Sequence, residues 1–116
     1  MIEGKVWGVT ELVTANGACE LHRIQIKPGG YCSEHCHQTK CNGFYVLAGK
    51  LLVRTWRPGG LVDETVLHAG QYVSVSPGIK HQFEALTDVD ALELYWAEPY
   101  SRNDIVRETN GGMRSG

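Results

Sequence analysis

The chain has 116 residues, 42% hydrophobic and 21% charged, with a formal net charge of −2, the profile of one globular domain large enough to bury a core. Its basic residues are scattered, its pI is near 6.2, and no apolar run approaches the roughly 20 residues a bilayer span needs, which argues against nucleic-acid and membrane partners. The start, Met1-Ile2-Glu3-Gly4-Lys5, lacks the basic and apolar segments of an export signal, so a cytoplasmic location is expected, with Cys19, Cys32, Cys36 and Cys41 as reduced thiols.

Along the chain, turn signals fall at Asn16-Gly17, Pro28-Gly29-Gly30, Gly49-Lys50, Pro58-Gly59-Gly60, Ala69-Gly70 and Pro77-Gly78. They separate runs rich in aliphatic and aromatic residues at 6–14, 19–26, 44–47, 51–56, 62–67, 72–75, 81–85 and 91–96. Short strands at this even spacing, with no helical period, predict an all-β sandwich or closed barrel. Asn16-Gly17 reads as a two-residue hairpin turn, since both residues tolerate positive φ. Gly78 reads as a positive-φ turn residue. The polar, glycine-rich stretch 109–116 reads as a flexible tail. The segment Asn103-Asp104-Ile105-Val106-Arg107 is too apolar to group with it, so one domain is expected over residues 1–108.

Among the histidines, His35 and His37 stand two apart. Alternate side chains of a strand share a face, so both rings can converge on one interior point while Cys36 points away. His81 follows the turn Ser76-Pro77-Gly78-Ile79-Lys80 and opens another strand. An H-x-H pair alone is more often two ordinary polar strand residues. Together with Pro-Gly-x-x-His downstream in an all-β chain, it points to three neutral nitrogens around one divalent metal ion. Zinc, iron, manganese, nickel, cobalt and copper all accept such a set. Trp7, Trp56, Tyr95 and Trp96 read as core or interface aromatics, and Cys19 and Cys32 as small buried residues.

These residues resemble the two cupin motifs. Gly29, His35, His37, Asn42 and Gly49 are similar to G-x5-H-x-H-x4-E-x6-G, and Gly70, Ser76, Gly78, His81 and Ala85 to G-x5-P-x-G-x2-H-x3-N. The resemblance implies a double-stranded β-helix, the cupin jelly-roll barrel, with a metal on His35, His37 and His81. The family's glutamate ligand falls on Asn42, a poorer ligand that would bind weakly or hydrogen-bond to metal-bound water. Cys41 beside it would then point away. Phe44 and Val46 share the parity of Asn42 and are expected to line the substrate pocket.

A closer resemblance is to the cupin domain of type II phosphomannose isomerases, carried by Val6-Trp7-Gly8, Ile26-Lys27-Pro28-Gly29-Gly30 and the closing Asp104-Ile105-Val106-Arg107. It implies a mannose-6-phosphate isomerase-like enzyme with Lys40 and Arg107 as catalytic cations; Lys80 is a further candidate to contact the substrate. His22, His68 and Glu84 could each supply the base that the missing glutamate leaves unfilled. A three-His dioxygenase and a non-catalytic sugar- or effector-binding cupin are the alternatives. The partner expected in each case is a small molecule, and the assembly a homodimer that swaps or adds the N-terminal strand.

Overall fold

The computed structural model describes residues 1–97 and 104–114. Within them run nine strands: β1 (Ile2–Lys5), β2 (Gly8–Ala15), β3 (Cys19–Ile26), β4 (Cys41–Ala48), β5 (Leu51–Trp56), β6 (Val62–Leu67), β7 (Tyr72–Val75), β8 (His81–Ala85) and β9 (Val89–Trp96). None of the described residues is helical, so no helix is long and apolar enough to cross a membrane. A six-stranded antiparallel sheet in the order β1-β2-β3-β9-β4-β7 faces a three-stranded one in the order β6-β5-β8. Two isolated bridges, Tyr31 with Glu84 and His35 with His81, lay the segment before β4 along the free edge of β8. This is the expected all-β jelly roll.

Alternation decides which residues face inward. On β8, His81, Phe83 and Ala85 are buried while Gln82 and Glu84 are not; on β9 the buried residues are Val89, Ala91 and Glu93. Antiparallel register then stacks the interior in layers. Ile26 pairs with Val89 and Ile24 with Ala91, and Val46 also lies opposite Ala91. One layer on, His22 and Phe44 flank Glu93; the last layer sets Glu20 and Asn42 either side of Tyr95. One end of the barrel is therefore apolar, with Leu51, Val53, Phe83 and Ala85 closing the core from the smaller sheet. The other end is polar, and all three histidines lie there.

Three sequence expectations need correction. The strand expected over 6–14 begins only at Gly8, and Ile2–Lys5, outside every expected run, forms a separate edge strand paired with Gly8–Glu11. The run 44–47 extends to Cys41–Ala48, since Cys41 and Asn42 continue the ladder with Trp96 and Tyr95. At Asn16-Gly17 neither residue has positive φ. The turn is instead held by Asn16 Oδ1, which accepts from the amides of Ala18 (2.7 Å) and Cys19 (2.9 Å), as short polar side chains do in Asx turns.

Gly49, between β4 and β5, has φ +92, and a Cβ there would stand 2.0 Å from the Asp88 carbonyl oxygen. Gly59 has a similar φ of +88 with open space around it. Replacing Gly49 by Ala should cost about 3 kcal/mol or more, whereas Gly59→Ala should cost about 1 kcal/mol, the left-handed penalty alone. Urea unfolding of both variants checks the difference.

Candidate metal centre

The segment carrying His35 and His37 is extended but does not form the regular strand expected of it. It is tied down from both sides. The His35 amide donates to the His81 carbonyl (3.1 Å) and the His81 amide to the His35 carbonyl (2.8 Å). The Gly78 amide, in the turn before β8, donates to the His37 carbonyl (2.7 Å); Gly78 has φ +82 as expected. Three histidines distant in sequence thus share one backbone frame. Their ring centroids stand 5.0, 4.6 and 5.4 Å apart, and one ligand atom from each lies within 4.8 Å of the others. Cys36 between the two points to solvent.

The tautomers follow from backbone carbonyls. His35 Nδ1 lies 2.8 Å from the Ser33 carbonyl and His81 Nδ1 2.9 Å from the Ile79 carbonyl. Each Nδ1–H donates there, which leaves the Nε2 lone pair available, the arrangement that second-sphere carbonyls impose on metal-binding histidines. His37 Nε2 is buried with no hydrogen-bond partner. Burial, then the adjoining rings of His35 and His81 and the Lys40 charge, push His37 down from its usual 6.5 to about 4. Burial also lowers His81. Both rings are therefore neutral near pH 7, as ligands must be.

Asn42 is fully buried, and its Oδ1 sits 3.0 Å from His81 Nε2. Its Nδ2 donates to Glu93 Oε2 (3.3 Å) and to the Leu94 carbonyl (3.1 Å), which sets the amide orientation. With Nδ1–H of His81 committed to Ile79, two lone pairs, Nε2 and Oδ1, face each other. A cation between them would remove that repulsion. Buried polar atoms without partners are costly, so this donor set fits a metal ion.

A cavity of about 380 Å³ adjoins the cluster, with His35, Lys40, Glu20, His22, Glu93 and Tyr95 among its lining residues. Lys40 Nζ lies 4.2 Å over the Tyr95 ring. Other expected site residues are elsewhere. Phe44 and Val46 are 1% and 0% exposed. Phe44 forms the floor beneath His81 at 6.4 Å, and Val46 lies one layer deeper in the core. Lys80 pairs with Glu34 at 3.4 Å and lies over Trp56, Arg107 is exposed, and neither lines the cavity. Asn103 lies outside the described residues. Tyr95 is a wall of this cavity, packing 5.2 Å from His37, instead of a purely structural aromatic. Cys19 is exposed where a buried residue was expected, while Cys32 is buried, and burial pushes its thiol up to about 11.

Sequence reasoning missed Glu93, which burial raises above the usual carboxylate range against hydrogen bonds from Tyr95 and Asn42. Its signal was a lone acid at an inward position of the series Val89, Ala91, Glu93. Of the three candidate bases only His22 lines the cavity. His68 is exposed, and Glu84 pairs with Arg54 (2.9 Å) on the outer face.

The profile of the cupin domain family matches residues 22–98. The chain belongs to the cupin family. Among solved structures, this cupin is similar to KdgF from Halomonas sp., with TM-score 0.73 and 16% identity over 85% of this chain and 89% of that one. It is also similar to the Bacillus subtilis oxalate decarboxylase, a protein with Mn(II) centres, with TM-score 0.75 and 18% identity over 90% of this chain and 29% of that one. The Lactobacillus farciminis oxalate decarboxylase, solved as a formate complex, gives TM-score 0.74 and 23% identity over 90% and 32%. This cupin thus spans most of KdgF but about a third of each decarboxylase. Identities this low show a shared fold. No curated protein matches the chain in sequence.

Because His37 is held below its usual 6.5 in the fold, protonation favours the unfolded chain. Metal-free protein should keep this stability above pH 6.5 and lose it progressively as pH falls toward about 4. Thermal unfolding across this range should show that fall, and His37→Ala should flatten it.

Proposed function

We propose that this cupin holds one divalent metal ion on His35, His37 and His81, with Asn42 as a neutral fourth donor, and isomerises a small sugar phosphate. The buried His37 Nε2 without a partner carries the metal reading. The 3.0 Å approach of His81 Nε2 to Asn42 Oδ1, two lone pairs that a cation would bring to one partner, supports the same reading. Four neutral donors would leave the ion its full charge.

When bound, such an ion polarises carbonyl and hydroxyl oxygens of a substrate. The chain's own residues supply the rest. Phe44 and Phe83 floor the site and keep water out from below. Lys40, half-buried at the mouth, offers a cation to a phosphate, and its position is the one the phosphomannose isomerase resemblance implies. Lys80 and Arg107 have no part in this reading, since neither lines the cavity. The three-His dioxygenase alternative gains nothing from Cys41, which strand alternation puts on the face of β4 opposite Asn42. The homodimer belongs to the same proposal. Edge strand β1 is exposed at every residue, and a chain lacking residues 1–6 should sediment as a monomer where the full chain is a dimer.

Protein purified without chelator should carry one divalent ion per chain by elemental analysis. His37→Ala and His81→Ala should each lower metal affinity on the order of 100-fold. Undiminished metal in both variants would overturn the site. Oxygen consumption by the iron-loaded protein would overturn the isomerase in favour of an oxidase.

A further inference from the structure

Glu20 and His22 form a second functional unit in the cavity beside the three histidines. They are alternate residues of β3, so both face inward, and both line the cavity that His35 borders. His22 Nε2 lies 3.0 Å from Glu20 Oε2. The Glu20 carboxyl is held below its usual value, first by its hydrogen bond with His22, so it accepts and the imidazole Nε2–H donates. That fixes the tautomer and leaves Nδ1 as a lone pair with no hydrogen-bond partner among the described residues. The ring packs edge-on against Tyr95 at 5.7 Å, and its cross-strand neighbour is Glu93. It is held in one orientation, lines the cavity and keeps 20% of its side chain exposed.

Other proton carriers in the cavity are engaged. Glu93 is hydrogen-bonded to Asn42 and Tyr95. Lys40 sits over Tyr95, and Lys5 pairs with Glu3 at 3.3 Å. Among the cavity's proton carriers, His22 combines a fixed tautomer, an Nδ1 lone pair without a hydrogen-bond partner among the described residues and an acidic partner able to stabilise the imidazolium. This is the geometry of a general base oriented by a carboxylate.

We propose that His22 is the acid–base residue that shuttles the carbon-bound proton of the substrate, with Glu20 as its positioning residue; this rests on the isomerase reading above. The step balances without a co-reactant. His22 Nδ1 takes the proton from the carbon beside the carbonyl, and the C–H electron pair becomes the second bond of an enediolate as the carbonyl oxygen takes up charge. Return of that proton to the former carbonyl carbon completes an aldose–ketose exchange: the carbonyl reforms on the carbon that lost the proton, and the hydroxyl proton passes from that carbon's oxygen to its neighbour's.

Two measurements test it. In metal-free protein, 15N spectra should show His22 protonated at Nε2 and bare at Nδ1, and Glu20→Gln should weaken that preference; an Nδ1–H tautomer overturns the assignment. In the metal-loaded full chain in D2O, solvent deuterium should enter fructose 6-phosphate or mannose 6-phosphate. His22→Gln should slow that exchange at least about 100-fold with metal content and sugar-phosphate affinity unchanged, and Glu20→Gln about 10-fold. Wild-type exchange in His22→Gln overturns the role of His22 and leaves the isomerase standing. Absence of exchange in metal-loaded wild type overturns the isomerase and the His22 role together, while the metal site stands on its own analysis.

Discussion

The reciprocal pair of backbone hydrogen bonds between His35 and His81 joins two segments that lie 46 residues apart in sequence. Without it, the H-x-H segment would be a loop crossing the end of the barrel, and its rings would have no defined position. With it, and with the Gly78 amide on the His37 carbonyl, the three imidazoles are placed by main-chain geometry. Side-chain entropy is then the only ordering cost left at the site, and the Ser33 and Ile79 carbonyls reduce that cost by fixing two of the rings.

This frame depends on the division of the barrel into an apolar and a polar end. Ile24, Ile26, Val46, Val89 and Ala91 fill the apolar layers and supply the burial energy that lets the opposite end be polar. There Asn42, His81 and Glu93 are nearly or fully buried, each needing a partner in low dielectric. Asn42 links the other two and holds the Glu93 carboxyl behind the histidines. The carboxylate that the family motif places at position 42 is thus absent from that position but present one strand away, as a neighbour of the site and not a ligand in it.

That displacement changes what the site can do. In the proposed site three imidazoles and an amide would add no negative charge around a cation, so its full charge would fall on whatever the cavity binds. The cavity wall opposite is amphoteric, with Glu20 and His22 on β3, Glu93 and Tyr95 on β9, and Lys40 before β4. Such a wall suits a small ligand rich in oxygen atoms, and it divides the labour between polarising groups on one side and proton-moving groups on the other.

The sequence by itself determined all but the first of the strands, the inward face of the histidine segment, and the three histidines. These are local properties, since period-two alternation, turn residues and the spacing of His35, His37 and His81 can all be read within short windows. The opposite orientation of Cys36 and the turn role of Gly78 follow from the same windows. The tertiary structure alone decided which strand lies beside which. Asn16 was misread because its side chain, not its backbone, closes the turn. Glu93, Tyr95 and His22 entered the site only through the pairing of β3 and β4 with β9. Register between strands so distant is fixed by the packing of the whole core, and no local pattern encodes it. For the same reason Lys80 and Arg107, both plausible as cations in the sequence, fall outside the cavity while Lys40 remains in it.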